Sequence, residues 1–190
     1  MYWGADRNNK LLVMRMLLRS SGVRDCSAVL GLSIGCVLRI VLSMADKLEI
    51  KPKHSYYCKV QIDEQWSYVG NKSRKVWLIY AYCHQTGEIL GFAMGKRNSK
   101  TVRQLVLKLK RLEIDFYLTD DWKAFKATLP YHKHLIGKQF TKAIEGVNTW
   151  FRTRIKRLVR RTTAFSKKLI YHYAIIKTAI YHRNLHSPYI

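Results

Sequence analysis

The sequence predicts an α/β fold: a mixed five-stranded sheet flanked by helices, preceded by a small helical region. Three observations carry this. Runs rich in Val, Ile, Trp and Tyr alternate apolar with polar residues between 60 and 94. Helix-like and strand-like runs then alternate along the second half, which implies a sheet covered by helices. Residues 8–46 carry helical signals only.

The elements follow in order. Asn8 to Ser20 is an apolar-rich helical stretch, broken by Ser21-Gly22. Arg24 to Leu30 makes a short helix, Gly31-Leu32 turns, and Ser33 is positioned to cap a third helix running to about Asp46. Ser27, Gly31 and Val37 have the spacing of a helix-turn-helix, in which a small side chain allows close crossing, glycine turns and valine packs between. A plain helical hairpin has the same spacing. Lys51-Pro52-Lys53-His54-Ser55 is polar and proline disfavours helix before it, so 51–57 reads as a linker. The predicted domains are therefore 1–50, the helix-turn-helix region, and 58–190. Within the second, Val60 to Tyr68, Val76 to His84 and Ile89 to Met94 form a three-stranded antiparallel meander. Val102, Leu105, Val106, Leu109 and Leu112 then mark an amphipathic helix. Ile114 to Thr119 is a strand ending in Asp120-Asp121, Ala124 to Leu129 a short helix, and His134 to Gly137 a short strand. Thr141 to Arg160 is a long basic helix, and a last helix runs from about Leu169 to Tyr181. This is the element order of a ribonuclease H-like domain.

Charge narrows the function. The 190 residues hold 35 Lys+Arg against 12 Asp+Glu, a net charge of +23. Such a field attracts polyanions, and released counterions would dominate the affinity. With 48% apolar and 12% aromatic residues the chain is no disordered polycation. A ribosomal-type protein or a basic membrane-surface protein shares this composition, but nucleic acid is the better match. No apolar run approaches a membrane span, and Arg15 and Arg19 interrupt the N-terminal candidate. A cytoplasmic, nucleoid-associated protein without a signal peptide is expected. Cys26, Cys36, Cys58 and Cys83 form no CxxC pair, so neither a zinc site nor a disulfide framework is expected.

The acids are more informative than the bases. Beyond Trp122 there are fifteen Lys+Arg and a single carboxylate, Glu145. An internal salt bridge to Lys138 or Lys142 would account for it alone. Asp63-Glu64, however, lies in the first predicted strand among apolar residues, where a carboxylate is costly unless paired or metal-bound. Asp120-Asp121 closes a later strand, where α/β sheets hold ligands. Carboxylates from these three places could converge on Mg2+ (or Mn2+), which prefers oxygen donors. Two such ions about 3.5–4 Å apart would activate a nucleophile and stabilise a leaving 3′ oxygen. The surrounding Lys and Arg would hold the DNA backbone.

The residues around these acids carry a family resemblance. Asp63-Glu64-Gln65-Trp66-Ser67-Tyr68-Val69-Gly70, then Lys72-Ser73-Arg74 and Trp77, closely resembles the DEQW-x-Y-V-G-x-K-S-R…W segment of transposases of the insertion sequence one family. Leu118-Thr119-Asp120-Asp121-Trp122 is similar to the family's T-D-G-W, with Asp121 a departure from its glycine. Thr141-Lys142-Ala143-Ile144-Glu145 with Asn148 is similar to T-x-x-I-E-x-x-N, followed by Arg152, Leu158, Arg161 and Phe165-Ser166-Lys167. The match runs in order over about residues 58 to 184. It implies a DDE transposase with Asp63, Asp120 and Glu145 as catalytic and metal-binding triad, 57 and 25 positions apart. Glu64 and Asp121 adjoin the assigned acids and are the alternatives. The resemblance also implies an N-terminally shortened copy, since family members begin with a cysteine-rich zinc module.

The expected reaction is metal-dependent cleavage at element ends and strand transfer into target DNA, with the protein acting as a homo-oligomer in a synaptic complex and binding terminal repeats and target. The expected DNA contacts are Arg39, Lys72, Arg74, Asn148, Arg152, Arg154, Lys156, Arg157, Arg160 and Arg161. A truncated, inactive derivative that binds terminal repeats and represses transposition is the alternative; a ribonuclease H-like nuclease without strand transfer is a third. Trp66, Trp77 and Trp122 read as core residues or as base-stacking platforms.

The third helix begins Ile34-Gly35-Cys36, with Arg39 one turn on, so Arg39 alone is suited to base-edge contacts of about 1–3 kcal/mol each. DNA binding is therefore expected to fall steeply with salt and to prefer terminal repeats only slightly. Competition binding at two salt concentrations, with wild type and Arg39→Ala, checks this. A preference of several orders of magnitude that survives Arg39→Ala would contradict it.

Overall fold

The computed structural model describes residues 6–140, 142–159 and 161–185. These divide into two compact units, neither continuous in the chain. One comprises Met1–Glu49, Ser67–Arg74 and Trp150–His182; the other Ile50–Trp66, Lys75–Thr149 and Arg183–Ile190. The span 58–190 contributes to both units. Most of the late helical segment belongs with the N-terminal helices.

In the first unit, α1 (Arg7–Leu17), α2 (Val23–Leu30) and α3 (Ile34–Lys47) follow the expected breaks. Gly31 closes α2 at φ 62°, a left-handed conformation that glycine adopts without the Cβ penalty. The Ser27 hydroxyl donates to the Leu32 carbonyl, and the Ser33 hydroxyl oxygen accepts from the Cys36 amide at 3.1 Å. The chain bends by 114° between α2 and α3. Val13, Met14, Leu17, Cys26, Val37, Ile40 and Val41 are buried. Among the described residues no single helix is long and apolar enough to cross a membrane.

The second unit is built on a five-stranded sheet in the order β3-β2-β1-β4-β5. The strands are β1 (Tyr56–Tyr68), β2 (Lys75–Cys83), β3 (Glu88–Gly95), β4 (Glu113–Thr119) and β5 (His134–Ile136). β2 and β3 pair antiparallel, whereas β4 runs parallel to both β1 and β5. This mixed sheet, with helices α4 (Ser99–Leu109), α5 (Lys123–Lys126) and α6 (Lys142–Arg154), is the arrangement expected from the sequence. Asn98 caps α4, its side chain accepting from the Thr101 amide at 3.1 Å. Val60 and Ile62 of β1, Ile79 and Ala81 of β2, and Val102, Leu105 and Leu109 of α4 share one apolar core with Phe125.

Three helices differ from expectation. α5 is a single turn and not a helix to Leu129: the Thr128 hydroxyl bonds back to the Ala124 carbonyl at 2.7 Å, and Pro130 follows. α6 stops at Arg154, because Ile155 is extended (φ −117°, ψ 93°) before a 3-10 turn at Lys156–Leu158. At the break the Arg154 carbonyl accepts from the Ser20 amide at 2.9 Å, and Ile155 and Leu158 are both buried. The last helix, α7 (Leu169–Leu185), runs a turn beyond the expected end at Tyr181. All four cysteines are free, with Cys26 and Cys83 buried.

The first unit contains a buried polar network. His172 on α7 is fully buried, with Nε2 2.8 Å from the Ser67 hydroxyl and Nδ1 3.2 Å from that of Ser166. Arg157 donates to the same Ser166 oxygen at 2.8 Å. Burial first, and then the Arg157 charge, push the His172 ring down to about 3. The ring is thus neutral in the folded chain but takes a proton below about 6.5 once unfolded. The unfolded state then binds more protons, so stability is lost as pH falls through that window. Urea unfolding is expected to weaken between about pH 6.5 and 4.5, and His172→Gln to lose that part of the dependence. An unchanged slope in His172→Gln would show that the ring does not set it.

Candidate active site

Strand alternation decides which side chains of β1 can do chemistry. Val60 and Ile62 enter the apolar core, so Gln61, Asp63 and Gln65 lie on the other face. β1 and β4 pair in parallel with Gln61 opposite Leu118. Asp63 and Asp120 each follow that pair by two residues, which brings them to the same level on adjacent strands.

Asp63 is held on both oxygens. Oδ1 accepts from the Glu64 amide at 2.7 Å, and Oδ2 accepts from Nδ2 of Asn148 at 2.6 Å. Asn148 in turn accepts from the Tyr80 hydroxyl at 3.0 Å. Burial pushes the Asp63 carboxyl up, and the two hydrogen bonds pull it back. The negative charges of Asp120 and Glu145 push it up again, so all three carboxylates share one electrostatic neighbourhood.

The neighbouring acids separate cleanly. Asp120 is half-buried, and its Oδ1 accepts from the Trp122 amide at 3.1 Å. Asp121 has a side chain 75% exposed and ion-paired to Lys126. Glu64 is 6% exposed, and one of its oxygens accepts from Nε and Nη2 of Arg97 at 2.9 and 2.6 Å. Its carboxyl is raised by burial, lowered by Arg97 and raised again by Asp120 and Asp63. Arg97 also lies over the rings of Trp122 and Trp77, 4.4 and 5.1 Å from their centroids. These tryptophans therefore hold a guanidinium, and Trp66 carries Lys75 at 5.5 Å. Glu145 is exposed on α6, one turn before the buried Asn148.

The donor set is entirely oxygen, which suits a hard divalent cation such as Mg2+ or Mn2+. A cation would also relieve the mutual repulsion at Asp63. Among the described residues, however, no three His, Cys, Asp or Glu side chains are gathered tightly enough to hold an ion unaided.

The basic residues expected on DNA divide. Arg39, Lys72, Arg74 and Arg161 are exposed, and Arg152 and Arg154 are half-buried. Lys156 is exposed but 3.5 Å from an Asp25 carboxylate oxygen. Arg160 lies outside the described residues. Two expected contacts are corrected. Arg157 is 5% exposed and bound to Ser166, and burial lowers its guanidinium to about 10. Asn148 is 9% exposed, its amide taken up by Asp63 and Tyr80. Tyr80 and Arg97 went unnoticed in the sequence: one reads as an ordinary strand aromatic, the other as one cation among many.

Comparison with known proteins gives the family of the chain. The IS1 transposase family profile matches residues 57–186, a span that contains all three carboxylates. The insertion element iso-IS1n protein InsB of Shigella dysenteriae is 44% identical over 120 residues, 63% of this chain and 92% of that protein. The insertion element IS1 4 protein InsB of Escherichia coli K12 is 34% identical over 134 residues, 67% of this chain and 80% of that protein. A cryo-electron microscopy structure of a simian T-cell lymphotropic virus intasome, in complex with a PP2A regulatory subunit, aligns over 89% of this chain and 64% of that chain. Its TM-score is 0.43 at 12% identity, too slight a likeness to add to the argument. With its mixed five-stranded sheet, Asp63 inside β1 and Asp120 just past the end of the parallel β4, the chain is by its family match a transposase-type protein. The chain belongs to the IS1 transposase family.

A raised carboxylate at a site shared with two others burdens the fold. Because the Asp63 carboxyl is raised, the native state binds its proton more tightly than the unfolded chain does, and stability falls as pH rises from the ordinary carboxylate range. Asp63→Asn is expected to raise the melting temperature at neutral pH by about 2–4 °C, what roughly 1 kcal/mol gives in a chain of this size. The gain should shrink as the pH is lowered toward that range. A thermal melt with no gain at neutral pH would contradict the burial-driven shift.

Proposed function

We propose that this protein is a DNA transposase that cuts at the ends of its element and joins them to target DNA. Asp63, Asp120 and Glu145 serve as its catalytic carboxylates. The observation that carries the reading is the parallel register of β1 and β4, which brings Asp63 level with Asp120, within reach of the Glu145 charge. Held by these three residues, Mg2+ or Mn2+ would activate the attacking oxygen and stabilise the leaving 3′ oxygen.

The chain's own residues do the rest. Asp63 is oriented before any ligand arrives, since the Glu64 amide and Asn148 occupy one lone pair on each of its oxygens. Water attacks the phosphodiester at the element end, breaking the P–O3′ bond and leaving a 3′-OH. That hydroxyl then attacks a target phosphodiester, forming one P–O bond as the target's own 3′ oxygen departs. Exposed Arg39, Lys72, Arg74 and Arg161, with Arg152, Arg154 and Lys156, track the phosphates. The α2–α3 pair acts as a helix-turn-helix, a role supported by the glycine turn and the 114° bend. Two element ends must be held together for joining, so a homo-oligomer assembles on DNA.

The test uses labelled duplexes from the two flanks of the gene with unlabelled target DNA, in Mg2+ and in EDTA. Asp63→Ala, Asp120→Ala and Glu145→Ala are each expected to abolish cleavage with DNA binding largely kept, because metal coordination does not tolerate a missing ligand. Asp121→Ala, which removes only an exposed ion pair, should keep cleavage. Cleavage retained in any triad variant removes that residue from the site. Cleavage without joining by the wild type identifies a nuclease, and binding without cleavage a repressor.

A further inference from the structure

The buried chain Tyr80–Asn148–Asp63 joins three elements: β2, α6 and β1. Each link has one possible direction. An ionised carboxylate only accepts, so the side of the Asn148 amide that faces Asp63 at 2.6 Å must be its NH2. Its carbonyl oxygen then faces the Tyr80 hydroxyl at 3.0 Å, and that hydroxyl must donate. The same hydroxyl also has the Ile144 carbonyl at 3.3 Å, beside Glu145 on α6. Its single proton favours the shorter bond. Tyr80 is fully buried and Asn148 nearly so, so water does not compete for either link.

We infer that Tyr80 and Asn148 are positioning residues that set the orientation of Asp63 for a divalent ion. The inference rests on the reading of Asp63 as a metal ligand. Tyr80 fixes the amide in the one orientation that can donate, and Asn148 fixes the carboxylate. Without Tyr80 the amide is free to turn its oxygen toward Asp63, and acceptor would then meet acceptor. Without Asn148 the carboxylate loses the bond that fixes its Oδ2 and is held by the Glu64 amide on Oδ1. Both changes act on ion binding before they act on DNA. Neither residue touches phosphate, because neither is exposed.

The consequence is measurable without turnover. Mg2+ is titrated calorimetrically into the full chain of wild type, Tyr80→Phe, Asn148→Ala, the double variant and Asp63→Asn, and affinity for a random-sequence duplex is measured in parallel. Loss of a partner that orients a metal ligand weakens ion affinity by about 10–100-fold. Asn148→Ala is expected in that range, Tyr80→Phe is expected to be weakened by less, and duplex affinity is expected to be unchanged. Because Tyr80 acts through Asn148, the double variant should resemble Asn148→Ala alone. In cleavage assays the same variants should require more Mg2+ for half-maximal rate and approach the wild-type rate at saturation. Tyr80→Phe keeps the buried ring, so it carries the test even where Asn148→Ala fails to fold. Ion affinity like wild type in both single variants, with none in Asp63→Asn, overturns the inference and leaves the reading of the site intact. Additive losses in the double variant overturn the relay. Ion affinity retained in Asp63→Asn would falsify the site assignment itself.

Discussion

The parallel pairing of β1 with β4 is the constraint on which the site depends. It aligns two strands distant in sequence so that Asp63 and Asp120 emerge at one level. The rest of the sheet supports this pair. β2 and β3 extend it on one side and β5 closes it on the other. The apolar core formed with α4 packs the face that carries Val60 and Ile62, which leaves the opposite face of β1 for Gln61, Asp63 and Gln65.

That polar face creates the central tension in the molecule. A half-buried carboxylate is unfavourable, and two further negative charges nearby make it more so. The fold offsets the cost with two short hydrogen bonds and not with a cation of its own. Adjacent acids are treated differently. Glu64 is drawn to Arg97, itself held by Trp77 and Trp122, and Asp121 pairs with Lys126 at the surface. The cationic side chains thus neutralise the neighbours of the assigned acids and leave Asp63 without an ion pair among the described residues. A divalent ion bound there, as proposed, would relieve that cost.

Much of this was legible in the sequence. Strand and helix order followed from apolar periodicity and turn residues, since these signals are local and the described elements obey them. The three acid-bearing motifs were legible because residue type and order survive without coordinates. The end of α6 was not legible, because the Arg154 carbonyl there is taken by the amide of Ser20, a tertiary contact that local propensity does not carry.

By itself the sequence determined the fold class and the family, because each is written in local pattern or in ordered motifs. Only the tertiary structure decided what each polar side chain meets. Asn148 lies three positions after Glu145, a spacing that fits a DNA contact as well as an internal one, yet it is buried between Asp63 and Tyr80. Arg157 sits in a basic run with the exposed Lys156 and Arg161, yet it is turned inward to Ser166. The physical reason is the same for both. A hydrogen bond between residues 85 positions apart, as between Asn148 and Asp63, leaves no periodic trace in either segment, and burial is settled by which surfaces the fold brings together.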